Sequence, residues 1–80
     1  MNEERIFSVI VEVIREILSG LPDRELRPDD TLDALGANSM DRAEIMMTVL
    51  ERIDLNIPLV ETFGPKNIGE LAGLLSRKKA

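Results

Sequence analysis

"LDALGANSMDRAEIMMTVLERIDLNIP", residues 32–58, decides how this chain folds. From Ser39 onward the apolar residues Ile45, Met46, Val49 and Ile53 recur at three- and four-residue steps. That period predicts one apolar face of a helix running from about Ser39 to Ile53. Asn38 suits the N-cap position, and Asp41 suits the positive end of the helix dipole. Upstream, Gly36 marks a loop, with "TLDAL" forming one short helical turn. Downstream, "DLNIP" breaks the helix and Pro58 marks a turn.

Working outward, "NEERIFSVIVEVIREILSGL" is rich in β-branched residues, but its period is helical. Ile6, Ile10, Val13, Ile14 and Ile17 form the stripe, and Phe7, Val11 and Leu18 widen it. Asn2 caps the start, and Gly20 and Pro22 end the helix. Residues 21–38 form a long connection punctuated by Pro22, Pro28 and Gly36, with Leu26, Leu32 and Leu35 as anchors onto the core. A connection of this length in a small domain is uncommon and often functional. "LVETF" is one short helix, stopped by Gly64 and Pro65. The last helix begins at Asn67, with Glu70 completing an N-x-x-E start and Ile68, Leu71, Leu74 and Leu75 on its apolar side. The basic "SRKKA" end suits a helix C-terminus. The expectation is an all-α bundle with three main helices and one short one.

Composition narrows the function. At 80 residues the chain suits one small domain. It contains no cysteine and no histidine, which removes disulfides, the usual zinc ligands and the commonest general base. The net charge of −5 argues against nucleic acid and favours basic protein surfaces as partners. No apolar run is long enough to span a bilayer, and the acidic start does not match a signal peptide. A cytoplasmic protein is expected.

Ser39 then stands out, with three readings. It is a helix cap, as small polar residues at helix starts usually are. It is a nucleophile, but no histidine is available for a triad, Met40 replaces the second glycine of a G-x-S-x-G elbow, and the only lysines lie at positions 66, 78 and 79. Or it is a residue that another enzyme modifies. A hydroxyl after a long loop, at the positive end of a helix, would favour an attached phosphate diester.

The segment at residues 32–58 resembles the acyl carrier protein family, whose pattern L-x-x-L-G-x-D-S-L-x-x-x-E-L-x-x-x-L-E is followed by I-x-I-P. The likeness covers nearly the whole chain. It implies a four-helix bundle of acyl-carrier type, a single domain over residues 1–80, and 4′-phosphopantetheine placed on Ser39 by a separate phosphopantetheinyl transferase. The arm's thiol would carry acyl groups as thioesters, so the chain would present the chemistry without catalysing it. The chain departs from the pattern at Asn38, where the family has aspartate, and at Met40, where it has leucine. Arg42 adds a cation to a helix that is normally acidic, and Leu59 and Val60 stand where acidic residues are frequent. "GANSMDRAE" resembles the discrete carriers of polyketide β-branching, which hold acetyl for a hydroxymethylglutaryl-synthase-like enzyme.

That resemblance implies further partners: an acyltransferase or ketosynthase-like decarboxylase that supplies the cargo, with the carrier itself a monomer. It also turns Asn38, Asp41, Glu44 and Glu51 from a solvated polar face into a docking face. Met40, Met47 and Leu50 form a second stripe, either broadening the core or offering an apolar docking strip. Leu59 and Val60 extend that strip or pack inward, and Arg42 breaks its acidic surroundings. The alternatives are a general fatty-acid carrier, a peptidyl or D-alanyl carrier, and an unmodified helical adaptor. Peptidyl carriers usually show "GGHS" at the attachment site, and no histidine precedes Ser39 here.

Overall fold

Residues 1–79 are described by a computed structural model. Three α-helices and one short 3-10 helix follow one another: α1 (Glu3–Ile17), α2 (Ser39–Arg52), the 3-10 helix (Leu59–Phe63) and α3 (Ile68–Lys79). No strand occurs among the described residues. The short fourth element is therefore 3-10 rather than α, and the bundle proper has three helices.

Helix α1 is the centre of the packing, with α2 and α3 both laid against it. The Asn2 side chain accepts from the Arg5 N–H at 2.8 Å, and Glu3 and Glu4 occupy the positive first turn. Ile6, Ile10, Val13 and Ile14 are wholly buried, as the helical spacing requires. The β-branched residues that favour a strand locally are overridden by this burial. The helix stops at Leu18, which turns extended while its N–H still bonds to Ile14 O at 2.8 Å.

Helix α3 turns Ile68, Leu71, Ala72 and Leu75 inward, each at most 1 % exposed. Leu74, expected on that face, is only half-buried, because the 68–71–72–75 register leaves it on the flank. The α2 terminus is a Schellman arrangement without glycine. Asp54 takes the left-handed conformation at φ 55, Leu55 N–H bonds to Leu50 O at 3.0 Å, and Asp54 N–H bonds to Glu51 O at 3.2 Å. Arg52 and Glu16 join the C-terminal ends of α2 and α1 through two hydrogen bonds of 2.7 and 2.5 Å. The guanidinium holds the Glu16 carboxyl below its ordinary range. Both side chains are largely exposed, so the pair adds little stability.

The connection between α1 and α2 is ordered by two devices. Leu26, Leu32, Leu35 and Ala37 are buried and anchor it to the core. Asp30 is the polar hub: Arg24 donates to both of its carboxylate oxygens, at 2.8 and 3.0 Å, and the Arg27 N–H donates at 2.6 Å. These bonds, the Arg24 contact foremost, pull the Asp30 carboxyl down to about 2. Its ionised form therefore stabilises the fold above the unfolded-chain value of about 4, and that contribution fades as pH falls through the folded value. Asp30→Asn should lower the melting temperature at neutral pH. The gap to the parent should close as melts are taken from about pH 4 down to pH 2.

The loop is also tied to α3. Ile68 N–H donates to Asp30 O at 3.0 Å, and Gly69 N–H donates to Pro28 O at 2.8 Å. A Cβ on Gly69 would lie 2.6 Å from the Pro28 Cβ and 2.9 Å from its carbonyl oxygen. Alanine in a helix is ordinarily better than glycine by about 1 kcal/mol. Here Gly69→Ala should instead destabilise by about 1–3 kcal/mol, because a backbone contact must open. Urea titration checks the sign.

Candidate functional site

The start of α2 is built by the turn before it. Leu35 N–H bonds to Thr31 O, Gly36 N–H to Asp33 O and Ala37 N–H to Leu32 O, which gives the expected short helical turn at "TLDAL". Gly36 reverses the chain at φ +96, a conformation that L side chains rarely adopt. Ala37 then enters the core and Asn38 stays outside.

Asn38 is the cap. Its Oδ1 accepts from the Asp41 N–H at 2.8 Å, and the Asp41 carboxylate accepts from the Asn38 N–H at 3.2 Å. This reciprocal capping box satisfies one end of the helix without using Ser39. The amide of Asn38 performs the capping that an aspartate would, with no charge at that position. Ser39 is the first residue of α2 and is exposed, and its hydroxyl takes part in none of the hydrogen bonds among the described residues. Of the other serines, Ser8 lies inside α1, Ser76 lies inside α3 and Ser19 sits just past the end of α1. None of them opens a helix.

The surroundings of Ser39 fit a covalent phosphodiester. The hydroxyl is open to solvent, Met40 beside it is 80 % exposed, and the helix N-terminus offers positive potential to an anion. Arg42, one turn on, is half-buried and forms an ion pair with Asp33, with Nη1 3.2 Å from Oδ1. No group of acidic side chains among the described residues is arranged to hold a metal ion.

The other residues singled out from the sequence divide between surface and core. Asn38, Met40, Glu44, Met47 and Glu51 are exposed, and Asp41 and Arg42 are half-buried. The apolar strip is only partly on the surface. Met47 is 59 % exposed, but Leu50 is 9 % exposed and belongs to the core. Leu50 lies one residue past Val49, close enough to the buried face to be drawn in, and Leu55 N–H bonds to its carbonyl. Leu50 therefore lines the floor of a shallow depression that Met47, Glu51, Leu59 and Ile57 help to enclose. Leu59 is half-buried there, doing some of both tasks expected of it.

Val60, left open between the apolar strip and the core, is 71 % exposed, while Thr62 turns inward and bonds its hydroxyl to Leu59 O at 2.7 Å. Sequence reasoning missed two features. Phe63 is 46 % exposed, at the end of a segment too short for its spacing to fix a face. The Asp33–Arg42 pair was not foreseen either, since nine positions and a glycine turn separate the two.

The phosphopantetheine attachment site family matches residues 8–75. The polyketide biosynthesis acyl-carrier-protein AcpK of Bacillus subtilis (strain 168) is 49 % identical over 78 residues, covering 98 % of this chain and 95 % of that protein. The acyl carrier protein of Bdellovibrio bacteriovorus is 32 % identical over 69 residues, covering 86 % and 88 %. Among solved structures, a chain of the curacin biosynthetic pathway HMG synthase in complex with acetyl donor-ACP superposes with a TM-score of 0.91. It is 47 % identical, with 98 % of this chain and 100 % of that chain covered. With a family match over residues 8–75 and a helical fold shared at this level of identity, the chain belongs to the acyl carrier protein family, as a polyketide carrier bearing a covalent 4′-phosphopantetheine.

Proposed function

We propose that the chain is a single carrier domain whose arm sits on Ser39, and that it presents acetyl to a hydroxymethylglutaryl-synthase-like enzyme in polyketide β-branching. The observation that carries the attachment site is the division of labour at the α2 start. Asn38 and Asp41 do the capping, and the Ser39 hydroxyl stays exposed. A phosphopantetheinyl transferase would form the Oγ–phosphorus bond, drawing the arm from coenzyme A and expelling the nucleotide bisphosphate. The serine proton would pass to a base of the transferase, since this chain has no histidine. When bound, the arm supplies the thiol that holds acetyl as a thioester. The chain acts as carrier and not as catalyst.

The donor role is supported by the likeness to the donor carrier of the curacin synthase complex at 47 % identity. General acyl carrier proteins stand at about two-thirds of that level, such as 32 % for the Bdellovibrio protein. An acyltransferase or ketosynthase-like decarboxylase would supply the acetyl group. The carrier would work as a monomer in the cytoplasm, consistent with the absence of any helix long and apolar enough to cross a membrane among the described residues.

Docking would use Glu44 and Glu51 to steer a basic partner, and Met47 to bury apolar area at the depression over Leu50. The test is condensation of the acetyl-loaded chain by a hydroxymethylglutaryl-synthase-like enzyme. The parent should be accepted, a fatty-acid carrier should be a poor substitute, and Met47→Glu should dissociate faster while remaining folded. Equal acceptance of the fatty-acid carrier would overturn the donor role. Unchanged kinetics in Met47→Glu would remove the methionine from the docking surface.

A further inference from the structure

We propose that Arg42 holds the phosphodiester of the arm, leaving Asp33 to do so when the chain is loaded. This rests on attachment at Ser39 and adds a positioning residue to it. Arg42 lies three residues beyond Ser39, so the two share one helix face. Side chains on a helix lean toward its N-terminus. A side chain as long as arginine therefore ends over the turn that contains Ser39. The contact with Asp33, in the loop before α2, places the guanidinium at that end already.

The hold on Asp33 is the weakest of the guanidinium–carboxylate pairs. Arg24 and Arg52 each place both terminal nitrogens on one carboxylate. Arg42 commits a single nitrogen at 3.2 Å, and the two side chains are 38 % and 77 % exposed. A phosphodiester on Ser39 would present two anionic oxygens that match the planar fork of an arginine, with the helix N-terminus behind them. The competing anions are few. Asn38 is uncharged, and the Asp41 carboxylate is engaged with the Asn38 N–H. Asp33 is the remaining rival, and its side chain is 77 % exposed, so water can solvate it when the guanidinium leaves. Loading thus exchanges one ion pair for another and frees a carboxylate beside the modified serine. The unloaded and loaded forms would differ in surface charge at Asp33 as well as in the arm.

The experiment compares loaded proteins by phosphorus and nitrogen NMR. The chain is loaded from coenzyme A, and intact mass with fragment analysis locates the arm. In the loaded parent the phosphorus resonance should shift with added NaCl, and the Arg42 Nε–H signal should differ between unloaded and loaded forms. Arg42→Gln should displace the phosphorus resonance and abolish its salt response. Arg42→Lys should restore part of both, and Arg77→Gln should behave as the parent. Asp33→Asn should leave the loaded spectrum unchanged. An identical, salt-independent phosphorus resonance in parent and Arg42→Gln, with an unmoved Arg42 Nε–H signal on loading, would overturn the role of Arg42. A chain whose mass shows no arm on Ser39 fails earlier, on attachment itself, and takes this role with it.

Discussion

Ser39→Ala is expected to take up no 4′-phosphopantetheine from transferase and coenzyme A, while unfolding within about 0.5 kcal/mol of the parent. The loss should be complete, because the hydroxyl oxygen is the atom that would form the bond, and the other serines lie away from the helix start that favours an anion. The fold should be indifferent for a specific reason. Asn38 and Asp41 cap the helix between them, so removing the Ser39 hydroxyl leaves no backbone donor unpaired. Alanine is also the better helix former at the first position. Asn38→Ala is the informative contrast, since there the cap itself is removed. Thermal melts alongside intact mass separate the two effects: one variant should lose loading without stability, and the other stability before loading. An arm still present on Ser39→Ala would move the site elsewhere.

Ile53→Ala should destabilise the chain by about 2–5 kcal/mol, as deletion of a fully buried isoleucine side chain does. Ile53 is 1 % exposed and closes α2, its N–H bonded to Val49 O at 3.0 Å. A domain of this length has a total stability of about 4–12 kcal/mol. The loss is therefore a large share of the whole, and the variant should unfold at much lower urea concentration. Because the α1 stripe and the loop anchors pack into the same core, the start of α2 should lose its order together with the rest. A urea midpoint equal to the parent's would mean that the buried face of α2 has been misassigned.

The periodic parts of the fold were legible because burial follows the 3.6-residue period so closely. Ile45, Met46, Val49 and Ile53 were read as one face and are all buried. The stripe of α1 is legible on the same ground, with Ile17 at its end only half-buried, whereas the three loop leucines stand out as isolated apolar residues in a polar stretch. Leu74 is misplaced by the same periodic logic, and the spacing leaves Leu50 open between core and docking strip. Each sits at the margin of its stripe, where a small rotation of the helix decides between core and surface, and sequence spacing does not fix that rotation. The end of α2 near Ile53, with "DLNIP" as the breaker, agrees with the structure, whose C-cap is Ile53; what the residue types do not announce is that Asp54 makes the turn in a left-handed conformation that glycine usually takes.

At the site, the helix start and the open serine could be read from "GANSM", and the asparagine cap was expected from residue type. The reciprocal bond from Asp41 was not, since its spacing also suits a simple dipole contact. Asp30 and Asp33 were invisible for a different reason. Their partners, Arg24, Arg27 and Arg42, are chosen by the path of an irregular loop, which carries no period to read. The close approach of Gly69 to Pro28 belongs to the same class, because it joins elements about forty positions apart that only the folded chain brings together.

The central claim is that this chain is a carrier armed at Ser39. The most direct measurement is the intact mass of the unmodified chain after incubation with coenzyme A and a broad-specificity phosphopantetheinyl transferase, followed by fragmentation to locate the adduct. The expected result is the mass of a single 4′-phosphopantetheine, wholly on Ser39. An unchanged mass, or an adduct on Ser8, Ser19 or Ser76, would contradict it.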